Sequence, residues 1–231
     1  MYSRIIEGQE YTFGVSGKLI MNVMVMYDRQ TDTLWSQLIG EAVEGPLEGT
    51  KLEYLPSWQT TWSDWKTQHP DTIAIKKSFT GPLDPYSYYY KNADLGVLGE
   101  SHFDERVYPK EYVVGVELDG DTAAYPFSLL NEMPVVNDVV GDQPVLIVFN
   151  ADTGTGVAYD RRIGERTLTF VLEEGFMLTD SETGTHWNGL TGQGMQGALA
   201  GESLTRLKST SAFWFGWKDW HPHTKLYRRE E

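Results

Sequence analysis

The chain has 231 residues, 40% hydrophobic and 23% charged, enough to build one large globular domain or two small ones around a real core. Its formal net charge of −14 argues against nucleic acid as a partner, because a phosphate backbone needs clustered Lys and Arg. With no cysteine, disulfides, thiolate metal sites and a Cys nucleophile are excluded.

No apolar run approaches the roughly 18 residues of a membrane span. Tyr2, Ser3 and Arg4 lead into a strand-like stretch, with no basic and apolar leader ahead of a cleavage site. A soluble chain is expected. Its compartment stays open, and is extracytoplasmic if a leader has been removed. Residues 11–15 and 19–27 are rich in strand formers. Strand alternation sets Met24 and Met26 on one face and Met21 on the other, so the thioethers do not converge on a metal and are read as core filling. Gly40, Gly45, Pro46 and Gly49 then punctuate short strands. Residues 63–69 read as a short helix stopped by Pro70. Residues 78–110, with Pro82, Pro85, Tyr86, Tyr88, Tyr89 and Tyr90, read as an irregular ordered loop. Residues 113–118 and 122–126 flank Asp119-Gly120, and residues 135–140 and 144–149 flank Gly141-Asp142; both are hairpin signals. Between the hairpins, residues 128–132 fit one helical turn. Residues 212–221 form a second helix, stopped by Pro222.

The chain also repeats itself. Residues 28–72 align without a gap on residues 180–224, with about 17 of 45 positions identical where chance gives about 3. Asp28, Thr31 and Trp35 meet Asp180, Thr183 and Trp187. Trp62, Trp65, His69 and Thr72 meet Trp214, Trp217, His221 and Thr224. Upstream, residues 2–13 resemble residues 159–170. The expected architecture is therefore α+β and predominantly β: two pseudo-symmetric repeats of twisted antiparallel sheet, each with a short Trp-bearing helix. The first repeat spans 1–77, the aromatic linker 78–110 and the second repeat 111–231, all expected within one compact domain. The hairpins of residues 112–158 precede only the second repeat, so the chain reads as about one and a half repeats.

The segments Tyr27-Asp28-Arg29-Gln30-Thr31, Leu34-Trp35-Ser36-Gln37, Gly45-Pro46-Leu47, Thr61-Trp62 and His69-Pro70-Asp71-Thr72 carry a family resemblance. So do Asp84-Pro85-Tyr86, Lys110-Glu111, Ala124-Tyr125-Pro126, Val136-Asn137-Asp138 and Phe213-Trp214-Phe215. Together they resemble the prokaryotic domain-of-unknown-function family 3179 over nearly the whole chain. The resemblance implies a fold and no reaction. Members usually carry hairpins ahead of both repeats and a Cys-Pro-Leu-Cys-Gly-Thr stretch before the Tyr-Asp-Arg strand. Here Asn150 and Thr153 stand where the two cysteines of the second repeat would fall, so no redox or metal role carries over.

Candidate chemistry is sparse, and no nucleotide-loop, nucleophile-elbow or zincin motif occurs. Asp28, Arg29, Trp35 and Gln37 lie among apolar neighbours, where a carboxylate is either an acid/base group in a pocket or the centre of a hydrogen-bonded turn. Recurrence of Asp28 and Thr31 as a set favours the turn. The paired tryptophans are read as core; Trp58 and Trp220 have no counterpart and are the candidates for ligand contact. His102 and Asp104 lie in the linker, where functional groups concentrate. His221 and His223 are the weak metal candidates, although His221 also suits a helix C-terminal cap. No cofactor and no bound transition metal are expected. The sequence reads best as a binding or assembly subunit, with a pocket enzyme or metal-binding protein as the alternative. The expected partner is another protein chain, or a second copy, pairing with the edge of the N-terminal strand.

Overall fold

A computed structural model of the chain describes residues 1–57, 59–76 and 86–228. Ile5–Ile6 (β1) and Gln9–Glu10 (β2) close a tight hairpin through Glu7 and Gly8, both at positive φ. Phe13–Ile20 (β3), Val23–Asp28 (β4), Leu34–Ser36 (β5) and Glu41–Glu44 (β6) form an antiparallel sheet in sequence order. Met21 and Asn22 turn the chain between β3 and β4 with φ of 49° and 61°, matching the right-handed strand twist. Met21 is thus a turn residue rather than a strand residue. Met24 is exposed, and of the three methionines only Met26 packs against the Trp35 cluster.

Trp62–Gln68 (α1) and Ser87–Lys91 (α2) follow. Tyr112–Leu118 (β7) and Asp121–Pro126 (β8) form the first expected hairpin, with Asp119 and Gly120 both at positive φ. Phe127–Leu130 (α3) is the expected helical turn. Val135–Val140 (β9) and Gln143–Asn150 (β10) form the second hairpin, and Thr155–Asp160 (β11) pairs with β10 on its other side. Arg162–Ile163 (β12) and Arg166–Thr167 (β13) are a small hairpin like β1–β2. Phe170–Leu172 (β14), Met177–Asp180 (β15), His186–Asn188 (β16) and Gly194–Gln196 (β17) form a second four-stranded antiparallel sheet, again in sequence order. Ser209–Phe213 (β18) joins β7, Trp214–Trp220 (α4) packs over that sheet, and Lys225–Leu226 (β19) pairs in parallel with β8. The protein is therefore β-rich with short helices. No described helix is long and apolar enough to cross a membrane.

The same local devices appear in both four-stranded sheets. Each has a glycine pressed on its turn: a Cβ on Gly45 would lie 3.0 Å from the Thr33 Cα, and one on Gly197 2.7 Å from the Thr185 Cα, with φ of +113° and +117°. Phe13 meets Trp35 edge-on at 5.7 Å, and Phe170 meets Trp187 at 5.9 Å. The Tyr2 hydroxyl donates to the Leu38 carbonyl at 2.6 Å, and Tyr159 to the Leu190 carbonyl at 2.5 Å. The surroundings differ. Strands β7 to β11 build a large core of Val, Ile, Leu and aromatic side chains around the second sheet. Among the described residues the first sheet has a smaller buried cluster, Ile6, Tyr11, Trp35, Ala42 and Leu52.

Candidate functional site

Each sheet is tied at one corner by a carboxylate. Asp28 is fully buried. It accepts hydrogen bonds from the Trp35 Nε1 (2.9 Å), the Thr31 N–H (2.6 Å) and hydroxyl (2.9 Å), and the Gln30 N–H (3.1 Å). Asp180 accepts from the Trp187 Nε1 (2.9 Å) and from the Thr183 N–H (2.6 Å) and hydroxyl (2.8 Å). Threonine hydroxyls continue each chain of bonds, Thr31 to Thr33 at 2.6 Å and Thr183 to Thr185 at 2.7 Å. Burial alone would raise the pKa of Asp28, but the donors from Trp35, Thr31 and Gln30 outweigh it and hold the carboxyl below the ordinary range. A third such turn stands where the family's cysteine pair falls. Asn150 Oδ1 accepts from the N–H groups of Asp152 and Thr153, and Thr153 meets Thr155 hydroxyl to hydroxyl at 2.7 Å. The shared Asx-x-x-Thr-x-Thr spacing is the sequence signal for all three.

The helices share a second device. The Trp65 Nε1 donates to the Thr72 hydroxyl (2.9 Å) and the Trp217 Nε1 to the Thr224 hydroxyl (3.0 Å). His69 lies against Trp65 at 4.1 Å between ring centroids, and His221 against Trp217 at 4.2 Å. Both histidines cap their helix, their N–H groups bonded to the Trp65 and Trp217 carbonyls. Yet α4 buries Trp214, Phe215 and Trp217, whereas α1 buries no residue. Trp62 is 53% exposed and its counterpart Trp214 0%. Core packing thus holds for Trp35, Trp187, Trp214 and Trp217, and is corrected for Trp62, which is exposed; Trp65 is partly buried.

A cleft of about 360 Å³ is lined by Tyr2, Gln37, Tyr54, Ser57, Ser209 and Ser211 among others. The Tyr54 hydroxyl crosses it to the Ser209 carbonyl (3.1 Å). Behind it, Lys208 pairs with Glu117 at 2.7 Å. His221 packs beside them, its Nε2 buried without a hydrogen-bond partner among the described residues. Burial lowers the His221 pKa, keeping the ring neutral. Burial would raise the pKa of Glu117, but Lys208 overrides it and holds the carboxyl ionised.

The linker is clamped from both ends. Asn22 Oδ1 accepts from the N–H groups of Val97 (2.8 Å) and Leu98 (2.7 Å), and its Nδ2 donates to the Gly99 carbonyl. The buried Asp219 of α4 accepts from the N–H groups of Ser101 and His102, each at 2.8 Å, and neighbouring Lys218 pairs with Glu100 at 2.8 Å. Asp104 binds Arg106, whose guanidinium lies over the Trp214 ring at 5.0 Å.

The structure brings the expected residues together in three separate places. Asp28 and Trp35 share the first carboxylate knot. Beside them Arg29 donates through Nη1 to the Phe13 carbonyl at 2.7 Å and lies over the Tyr27 ring. Gln37 lines the cleft. His102 and Asp104 lie in the linker at α4, where the His102 Nδ1 is 3.7 Å from Asp219. Trp220 ends that helix with its Nε1 buried and unpartnered among the described residues. Trp58 lies outside the described residues. His221 faces the cleft wall, while His223 is exposed on the turn beyond. Among the described residues no three metal-ligating side chains converge. Glu117, Lys208 and Asp219 carry no spacing signal in the sequence, because their partners lie 91 to 118 residues away.

Residues 1–224 match a family model described as "Protein of unknown function (DUF3179)". No curated protein and no solved structure matches the chain.

Proposed function

Because the chain belongs to the DUF3179 family, whose function is unknown, we propose from its geometry that it is a non-catalytic binding or assembly subunit. Its two halves are read as copies of one repeat, residues 1–77 and 111–231, joined by the linker 78–110. The N-terminal half is completed by another polypeptide, or by a second copy, adding strands to its edge. One observation carries this reading: α1 and α4 have the same histidine C-cap and the same Trp-Thr bond, yet among the described residues only α4 rests on a sheet. The exposed Trp62 of α1 and the exposed Val15 of edge strand β3 are apolar surface suited to being covered by another chain.

The test is the native mass of the tagged chain in extract of its own host, against Trp62→Asp. Wild type is expected well above the 26.2 kDa of one chain. Trp62→Asp is expected to return it to that mass with Tm changed by less than about 2 °C, as for an exposed position. A wild-type mass of one chain overturns the reading. The cleft supports a second reading, a pocket enzyme, through one feature: the buried, unpartnered Nε2 of His221 behind its wall.

A further inference from the structure

Cross-strand register brings two opposite charges and one imidazole to the end of the β7–β18 pair. Ser209 faces Val116 and Thr210 faces Gly115, so the next rung sets Lys208 opposite Glu117, and their side chains meet at 2.7 Å. Alternate residues share a strand face, so Gly115, Glu117, Lys208 and Thr210 lie together on the face that carries α4. Trp217 presses on Gly115, where any Cβ would run into its ring. One helical turn on, His221 packs against Trp217 at 4.2 Å between ring centroids. It shares with Glu117, Lys208, Leu38 and Ile39 a small internal space that has no room for a water molecule.

Leu38 and Ile39 form the turn between β5 and β6 of the first four-stranded sheet. Lys208 ties that turn to β7, because its Nζ donates to Glu117 at 2.7 Å and to the Ile39 carbonyl at 3.4 Å. Beside it the Tyr54 hydroxyl donates to the Ser209 carbonyl. The Nε2 of His221 is buried with no partner among the described residues. A neutral imidazole leaves one nitrogen unpaired at modest cost. An imidazolium has two N–H groups and a charge, and buried it needs a counter-ion. The carboxylate that faces it is Glu117, which Lys208 already holds. The neighbouring charges are engaged elsewhere. On α4, Lys218 pairs with Glu100, and Asp219 accepts from Ser101 and His102. Arg106 pairs with Asp104, Lys225 with Asp138, and Lys51, which also acts on Glu117, with Glu41. His223 is exposed.

We propose that His221 is an acid-released latch on the first sheet: once protonated it takes Glu117 from Lys208, and the freed ammonium lets go of the Ile39 carbonyl. The β5–β6 turn then lifts from β7 and β18. Leu38 and Thr210 also line the larger cleft, so the cleft widens as pH falls. Burial holds the His221 pKa below its ordinary value. The ring is therefore neutral at neutral pH, and the closed form loses stability as pH falls below the ordinary histidine value of about 6.5. Protons bind the open form better, because opening returns the ring to water. The latch works within one chain and is independent of the assembly reading.

The test is an NMR pH titration of the full chain, following the His221 ring and the backbone amides of Leu38, Ile39 and Ser209. The ring is expected to titrate below about 6.5, and the three amides to shift with the same midpoint. His221→Gln is expected to abolish those amide shifts. Lys208→Met leaves Glu117 to His221 without a competitor and is expected to raise the ring's midpoint by about one pH unit or more. Amides that do not follow the ring in the wild type overturn the proposal. So do amides that shift unchanged in His221→Gln, which would make Glu117 the titrating group. If His221→Gln yields no folded protein, Lys208→Met decides alone, and an unchanged midpoint there overturns the proposal.

Discussion

Trp217→Ala is expected to destabilise the protein by about 3–5 kcal/mol, the range for deleting a large buried aromatic, whereas Trp65→Ala costs only about 1 kcal/mol. The two tryptophans occupy matched positions and make the same bond to a threonine, at 2.9 and 3.0 Å. Trp217 is 3% exposed and packs with Val113, Ala124, Trp214 and Leu226, so its removal leaves a cavity against Gly115. Trp65 is only partly buried, on a helix with no fully buried residue among those described, so its truncation removes less apolar contact. At about 2–4 °C per kcal/mol for a chain of this size, the difference is readable by thermal melting. Equal shifts for the two variants would show that α1 is covered as α4 is.

Asp180→Ala is expected to cost about 3–5 kcal/mol, and Asp180→Asn clearly less. The carboxylate is completely buried and accepts from an indole N–H, a backbone N–H and a hydroxyl. Alanine leaves the Trp187 and Thr183 donors buried without a partner, at about 1–3 kcal/mol each. Asparagine keeps one carbonyl oxygen in place, and Asn150 shows that an amide can anchor this turn. Urea denaturation of the pair gives the ranking. If Asp180→Asn destabilised as much as Asp180→Ala, the charge itself, rather than the acceptor geometry, would be what holds the knot.

Elements governed by neighbouring residues were legible in the sequence. Asp119-Gly120 marked the β7–β8 turn because a two-residue hairpin needs positive φ at both positions. The Asp-x-x-Thr spacing foretold the carboxylate knots, since an Asx turn is closed within four residues. The Met21–Asn22 turn was hidden because neither residue is a glycine, and the third knot because Asn150 replaces an aspartate. The unequal burial of α1 and α4 had only a partial signal: Phe215 and Trp220 of α4 stand where α1 has Ser63 and Gln68, while the shared tryptophans alone do not tell what lies beneath a helix. The linker clamps were silent, because Asn22 and Asp219 meet backbone 75 to 118 residues away.

The most direct test of an open first half is amide hydrogen exchange of the purified chain, read at two residues. The N–H of His69 bonds the Trp65 carbonyl at 2.8 Å and the N–H of His221 bonds the Trp217 carbonyl at 3.0 Å, so their chemistry is the same and only their cover differs. The His69 amide is expected to exchange at least about 100-fold faster, because local opening of α1 exposes no buried side chain. Equal protection of the two amides in a chain with the mass of a monomer would contradict the account.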